Sequence, residues 1–259
     1  MKKIIALLLC LVLLAVSSLA LAESESDKAY VTGKGKIVVG ITDFEPMDYK
    51  NENGEWIGFD ADLARAFAAY LGVEIEFQEI DWDNKVLELT GKNIDCVWNG
   101  MSLTDEVKAA MSCSKAYMNN AQVIVAPVAK VADYTTVESL SSLVFAVESG
   151  SSGESVVRDL GCQANAVQSQ AAALMEVASG TSDAAVIDLL MALAMVGEGT
   201  GYENLACGFT LQDDQYGVGF RPGSDLAEEL NTFLASAAAD GTLKKIADTY
   251  GLGLALIAD

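Results

Sequence analysis

Hydrophobic and polar positions change period several times along this chain. From Lys36 to Ile41 (KIVVGI) the run is short and almost continuously apolar, which predicts a strand buried on both faces. Thr42-Asp43-Phe44-Glu45-Pro46 leaves its C-terminal end as a loop, and Asn51-Glu52-Asn53-Gly54 predicts a hairpin-like turn before Trp56. Leu63, Phe67 and Leu71, with Ala64 and Ala68, then recur at helical spacing, with Asp60 as the expected N-cap and Gly72 as the stop. Val73, Ile75 and Phe77 alternate with Glu74 and Glu76, the period of a strand. Asp81-Trp82-Asp83 is a loop before a short helix, Asn84 to Thr90. Ile94 to Trp98 predicts a second buried strand that stops at Asn99-Gly100; Ser102 follows, and Thr104 is placed to cap a helix starting at Asp105.

A second series begins after the extended segment Gln122–Pro127. Leu143 to Val147 predicts a strand, and Glu148 to Glu154 a Gly/Ser loop entering a helix. Ser151 and Glu154 have capping-box spacing, which aims the backbone N–H groups near Ser152 and Gly153 outward, where an anion is favoured; on this loop alone simple capping without a ligand is the commoner outcome, with Glu154 itself taking part of the positive helix end. Gln168–Ala178 reads as a helix stopped by Gly180, and Asp183–Ile187 as a strand ending in Asp188. A carboxylate there either caps the next helix, the commoner role, or meets a ligand. Gln215–Phe220 returns as a strand. A helix capped near Ser224 and a last helix ending near Gly251 close the chain. This βα alternation implies largely parallel sheets with ligand chemistry at the strands' C-terminal ends, which carry Phe44, Trp82 and Gly100 to Ser102.

At 259 residues the chain has length for two lobes. Residues 1–22 are read separately: Lys2 and Lys3, an apolar run from Ile4 to Val16, and Ala20-Leu21-Ala22 make an export signal cleaved after Ala22, which predicts a periplasmic or exterior protein. Leu9 sits where a lipid-anchor motif before Cys10 needs a small residue, so no anchor is expected. Residues 23–35 read as a loose polar leader. The formal charge of −21 becomes −23 without Lys2 and Lys3, a surface that repels nucleic acid and anionic lipid. Histidine is absent, which removes the commonest general base and zinc ligand. Cys96 and Cys113 read as small buried thiols, and whether they, or Cys162 and Cys207, pair is open. No cofactor and no metal is called for.

The order of segments resembles the family 3 extracellular solute-binding proteins, the receptor subunits of polar amino-acid ABC importers. The likeness rests on IGFDADLARAFAAYLGVEIEF (57–77), IDCVWNGMSLTDE (94–106), SKAYMNNAQVIV (114–125), GTSDAAVID (180–188) and the closing stretch 216–251. It implies a two-lobed α/β fold of the type II periplasmic-binding class with two crossovers and an interlobe cleft. Residues 36–117 with 216–259 would form lobe 1, 122–211 lobe 2, and 118–121 with 212–215 the hinge. It also implies a monomer that hands a small polar amino acid or amine to the transmembrane subunits of an ABC permease.

Carried over by the same resemblance, Phe44 and Trp82 match rings that sandwich the ligand side chain. Gly100 and Ser102 match contacts to its amine or carboxylate, Ser151 and Ser152 match helix-start amides for the α-carboxylate, and Asp188 matches the carboxylate for the α-ammonium. One position departs. The family pattern Thr-x-x-Arg supplies a bidentate carboxylate clamp, and here that position is Val107. Lys108 lies about 100° further round the helix and is a poor substitute. Glu148 also stands where relatives often carry Lys or Gln. Either the ligand is a cation without a carboxylate, partnered by Asp188, Asp43 and Glu148, or amides and hydroxyls alone hold its carboxylate, or binding has been lost.

Relatives on this scaffold include a dehydratase of prephenate or arogenate and a lytic transglycosylase. The first would need cationic anchors where these loops hold acids and Val107, and the second an extra lysozyme-like domain. A sensor would need a membrane span and an output domain beyond Asp259. The chain therefore reads as a binder, with no catalytic residue.

Overall fold

The computed structural model describes residues 26–257, so the export signal, its cleavage after Ala22 and Cys10 lie outside the described residues. Residues 23–35 are not a loose leader throughout. Ser26 caps a helix, α1 (Asp27–Lys34), by accepting from the Ala29 N–H. Charge holds that helix down: Arg221 Nε donates to both oxygens of Asp27 at 2.9 and 3.0 Å, and its Nη2 lies 3.2 Å from Asp95 Oδ1. Lys34 reaches the other Asp95 oxygen at 2.6 Å.

The strand β1 (Lys36–Ile41) is buried at every residue after the first, as an unbroken apolar run requires. A two-residue hairpin, β2 (Tyr49–Lys50) and β3 (Trp56–Ile57), leads into α2 (Phe59–Leu71). Phe59, Leu63 and Phe67 form the apolar face of α2 and are fully buried. Each such side chain contributes about 1.5–3 kcal/mol. Gly58, not Asp60, is the N-cap, and Gly72 in the left-handed conformation ends the helix. The strand β4 (Glu74–Glu79) pairs in parallel with β1, and α3 (Lys85–Thr90) follows a 3₁₀ turn at Trp82–Asn84.

On the other side of β1, β5 (Cys96–Ser102) runs further than expected. It passes through Asn99-Gly100 because its partner keeps bonding: Tyr216 faces Ser102, Gly217 faces Met101, and a bulge before Gly219 absorbs the kink. Thr104 caps α4 (Asp105–Ala110) by accepting from Val107 N–H, and β6 (Ser112–Cys113) follows.

The two connections to the second lobe are β7 (Met118–Pro127) and the return strand β11 (Leu205–Phe220), paired antiparallel from Met118↔Tyr216 to Pro127↔Leu205. Between them lie β8 (Val144–Glu148), α5 (Ser152–Asp159), β9 (Gln163–Val167), α6 (Gln170–Ser179), β10 (Ala184–Asp188) and α7 (Leu189–Met195). After β11 the chain packs α8 (Leu226–Ala239) and α9 (Thr242–Thr249) back on the first lobe, where Phe233 meets Phe67. The strands lie in the order β4-β1-β5-β11-β7-β10-β8-β9, with β6 on β11. Two parallel α/β lobes thus share one sheet, joined through two long antiparallel strands. Among the described residues, Cys96, Cys113, Cys162 and Cys207 are free thiols.

Candidate functional site

The loop after β1 is held by Asn99. Its Oδ1 accepts from Thr42 N–H at 2.9 Å and its Nδ2 donates to Thr42 Oγ1 at 2.7 Å, which joins the C-terminal ends of β1 and β5. Phe44, in that loop, is buried edge-on against Tyr216, with ring centroids 6.3 Å apart. Gly100 has φ +55° and turns its N–H 2.6 Å from Asp60 Oδ2. Asp60 is therefore a buried brace for the strand end: Tyr117 Oη also donates to it, at 2.7 and 2.9 Å. Burial pushes its carboxyl up to about 7, and the bonds from Gly100 and Tyr117 pull the other way.

Across the molecule, Asp188 ends β10 and sits at the N-cap position of α7, but its side chain caps nothing. Instead Oδ1 accepts from Gln122 Nε2 and Tyr216 Oη, each at 2.9 Å, and from Asn120, while Oδ2 accepts from Gln170. Asp214, on the return crossover, takes bonds from Asn120 Nδ2 at 2.7 Å, Gln122 Nε2 at 2.9 Å and Ser102 Oγ at 2.7 Å. Asn120 and Gln122 each spend both amide hydrogens bridging these two carboxylates. All four donors to Asp188 are neutral. Burial, then the charge of Asp214, pushes its carboxyl up to about 7.

The Gly/Ser loop joins the two halves. Ser151 Oγ accepts from Glu154 N–H at 3.1 Å, and Glu154 Oε2 accepts from Gly150 N–H at 2.8 Å, so the reciprocal cap closes one residue earlier than a standard box. Lys85, at the start of α3, donates from Nζ to Gly150 O at 2.9 Å across the lobes and to Trp82 O at 3.2 Å. Its Nζ also lies 5.0 Å from the Trp82 ring centroid. Gln168 Nε2 donates to Asp81 Oδ1 at 3.2 Å, a second contact between the lobes.

These elements enclose one cavity of about 260 Å³. Phe44, Trp82, Gly100, Ser102, Ser151, Ser152 and Asp188 all line it, brought from five strand or helix ends in both lobes. Asp43 is the exception: it is exposed and not part of the lining, because Asn99 anchors the loop with Phe44 turned inward. Val107 lines the cavity where the family resemblance calls for an arginine.

Two lining residues were not singled out as ligand contacts or were given a lesser place. Lys85 sits in a helix read only as a connector, although a lysine among Val86 and Leu89 on so short a helix was the available signal. It is 8 % exposed, and desolvation holds its ammonium below the usual lysine range, with the charge of Glu148 opposing. Glu148 is 4 % exposed, and its Oε1 has no hydrogen-bond partner among the described residues. Burial and then Asp188 push its carboxyl up to about 8, against the pull of Lys85. The lining holds five carboxylates, Asp83, Glu106, Glu148, Glu154 and Asp188, against Lys85 and Arg158. Arg158 is largely exposed and already paired with Glu154 at 3.0 Å. Asp83 and Glu106 are exposed, and Glu154 is the partner of Arg158, so the buried charged groups of the lining are Glu148 and Asp188 against Lys85.

Residues 37–253 match the family model of the bacterial extracellular solute-binding proteins, family 3. The chain is 27% identical over 256 residues to the arginine-binding extracellular protein ArtP of Bacillus subtilis (strain 168), covering 95% of this chain and 98% of that protein. Its fold superposes with a TM-score of 0.82 on an ABC uptake transporter substrate-binding protein from Streptococcus pneumoniae with bound histidine, at 28% identity, covering 90% of this chain and 99% of the other. It is also similar to an ancestral amino acid-binding protein, a precursor of cyclohexadienyl dehydratase, with a TM-score of 0.79 and 28% identity over 87% of this chain and 99% of that one.

Proposed function

The chain belongs to the bacterial extracellular solute-binding proteins, family 3, and from that membership we propose that it is the extracytoplasmic substrate-binding subunit of an ABC amino-acid importer. Its ligand is a small cationic amino acid or close analogue, closed between lobe 1 (36–117 with 216–259) and lobe 2 (122–211) about a hinge at 118–121 and 212–215. The observation that carries this reading is Asp188: a buried carboxylate on the cavity wall, satisfied by four neutral donors and paired with no cation among the described residues. An ammonium withdrawn from water into that cavity needs such a partner.

The remaining roles follow from placement. Phe44 and Trp82 flank the aliphatic or cationic part of the side chain. Ser102 Oγ, with its hydrogen given to Asp214, offers lone pairs, so it and the Gly100 carbonyl favour the ammonium. Ser151 and Ser152 stand at the start of α5, where the carboxylate belongs. The relatives named for arginine or holding histidine, and the acidic lining, support a basic member of the class. No step in this reading is catalytic. A second reading, an amine without a carboxylate, is favoured by Val107 in the place of the family arginine. The test is a melting-temperature screen of residues 23–259 against amino acids and polyamines: a ligand at 100 times its Kd adds about 2.7 kcal/mol of stability, and a panel with no shift overturns the proposal.

A further inference from the structure

We infer that Lys85 supplies the cation that holds the ligand's carboxylate, taking from the start of α3 the task that α4 lacks at Val107. The inference rests on the proposed function and decides between its two readings, in favour of a ligand that keeps its carboxylate.

Three observations converge. First, Lys85 is the sole buried cation in the lining: it forms no ion pair among the described residues, only bonds to two neutral carbonyls. A desolvated ammonium left with neutral partners is costly, and its third N–H remains for an anion. Second, its place is specific. Nζ lies 2.9 Å from Gly150 O, directly before Ser151 and Ser152. Ser151 Oγ occupies the Glu154 N–H, which leaves the Ser152 and Gly153 amides without an intrahelical acceptor. The Lys85 ammonium and the helix-start amide of Ser152, both on residues that line the cavity, thus stand in one corner, the composition of a carboxylate site. Third, Glu148 lines the same cavity from the other lobe with Oε1 unpartnered and buried. With Asp188 it makes two carboxylates to one ammonium, so the complementary guest carries two cationic groups and one anion. The ligand class is a diamino acid or a basic amino acid with an ionised side chain.

The experiment is calorimetric titration of the wild type, Lys85→Met and Lys85→Arg with matched pairs: arginine and agmatine, lysine and cadaverine, ornithine and putrescine. A charge-assisted bond of the expected kind makes the wild type prefer the carboxylated member by about 10- to 100-fold. Lys85→Met should erase that preference while still binding the decarboxylated partner, and Lys85→Arg should restore it. Circular dichroism of each empty variant checks that it is folded. If the wild type binds amines as well as or better than the amino acids, or Lys85→Met keeps the preference, the inference falls and the proposed binding function stands. If the wild type binds no member of any pair, both fall together.

Discussion

Replacing Asp188 by Asn should separate binding from folding. The substitution keeps the shape and removes the charge that the proposed function sets against the ligand ammonium. Truncating one partner of a buried charge pair costs about 2–5 kcal/mol, which predicts a Kd about 30- to 4000-fold higher. The empty protein should hardly notice. The retained Oδ1 still accepts from Gln122 and Tyr216 at 2.9 Å, while the new amide meets the Gln170 amide, whose own Oε1 is held by Asp188 N–H at 2.8 Å. That mismatch costs about 1–3 kcal/mol. Against it, the burial that pushes this carboxyl up to about 7 makes its ionised form unfavourable at pH 8, and Asn relieves that. The two contributions oppose each other, so stability should stay within about 2 kcal/mol. Calorimetric titration and urea unfolding at pH 8 read the two quantities separately. The reasoning is refuted if the variant binds as tightly as wild type, or if lost binding merely tracks lost folded protein.

Further outcomes follow from the same geometry. Gly150 has φ +72°, and a Cβ there would stand 2.8 Å from the Asp83 Cα on the facing lobe; Gly150→Ala should hold the lobes apart, raise koff at least tenfold and enlarge the ligand-bound radius of gyration in solution scattering, whereas unchanged kinetics would contradict the contact. Glu148 at about 8, with Asp188 and Asp60 at about 7, all lie above their unfolded values. The folded protein thus holds extra protons, and its stability is greatest at acid pH and is lost as pH rises through about 8, by up to about 1.4 kcal/mol per unit for each proton. Melting of the ligand-free protein from pH 5 to 9 should show the midpoint falling and then levelling, while affinity for a cationic ligand rises over the same window; a flat or rising midpoint would contradict these protonation states. Arg221→Met leaves Asp27 and Asp95 buried without their shared cation and should destabilise by about 3–5 kcal/mol, read by denaturant unfolding; a loss below 1 kcal/mol would show that the cluster is not what fixes α1.

Much of this was legible in the residues. Strands such as Lys36–Ile41, and helix ends at Gly72, Gly180 and Thr104, declare themselves because burial on both faces, a left-handed turn and a hydroxyl cap each demand particular residue types. The rings at Phe44 and Trp82 and the carboxylate at Asp188 stand where strands end, and the fold gathers them into one cavity. Other features depend on partners distant in sequence. The segment Leu205–Asp214 has no clean alternation because it pairs with the other crossover strand, so only its last residues read as a strand. Asp27 marks a helix only once Arg221, 194 residues away, is beside it. The role of Asn120, Gln122 and Asp214 around Asp188 likewise arises from three strands, β7, β11 and β10, meeting at one point. Lys85 was hidden for the same reason: its meaning lies in the Gly150 carbonyl on the other lobe.

A crystal structure grown with the tightest compound from the screen tests the central claim most directly. The ligand should lie between Phe44 and Trp82, with an ammonium nitrogen within about 3 Å of the Asp188 carboxylate. A ligand bound outside this cavity, or inside it with no cationic group on Asp188, would contradict the account.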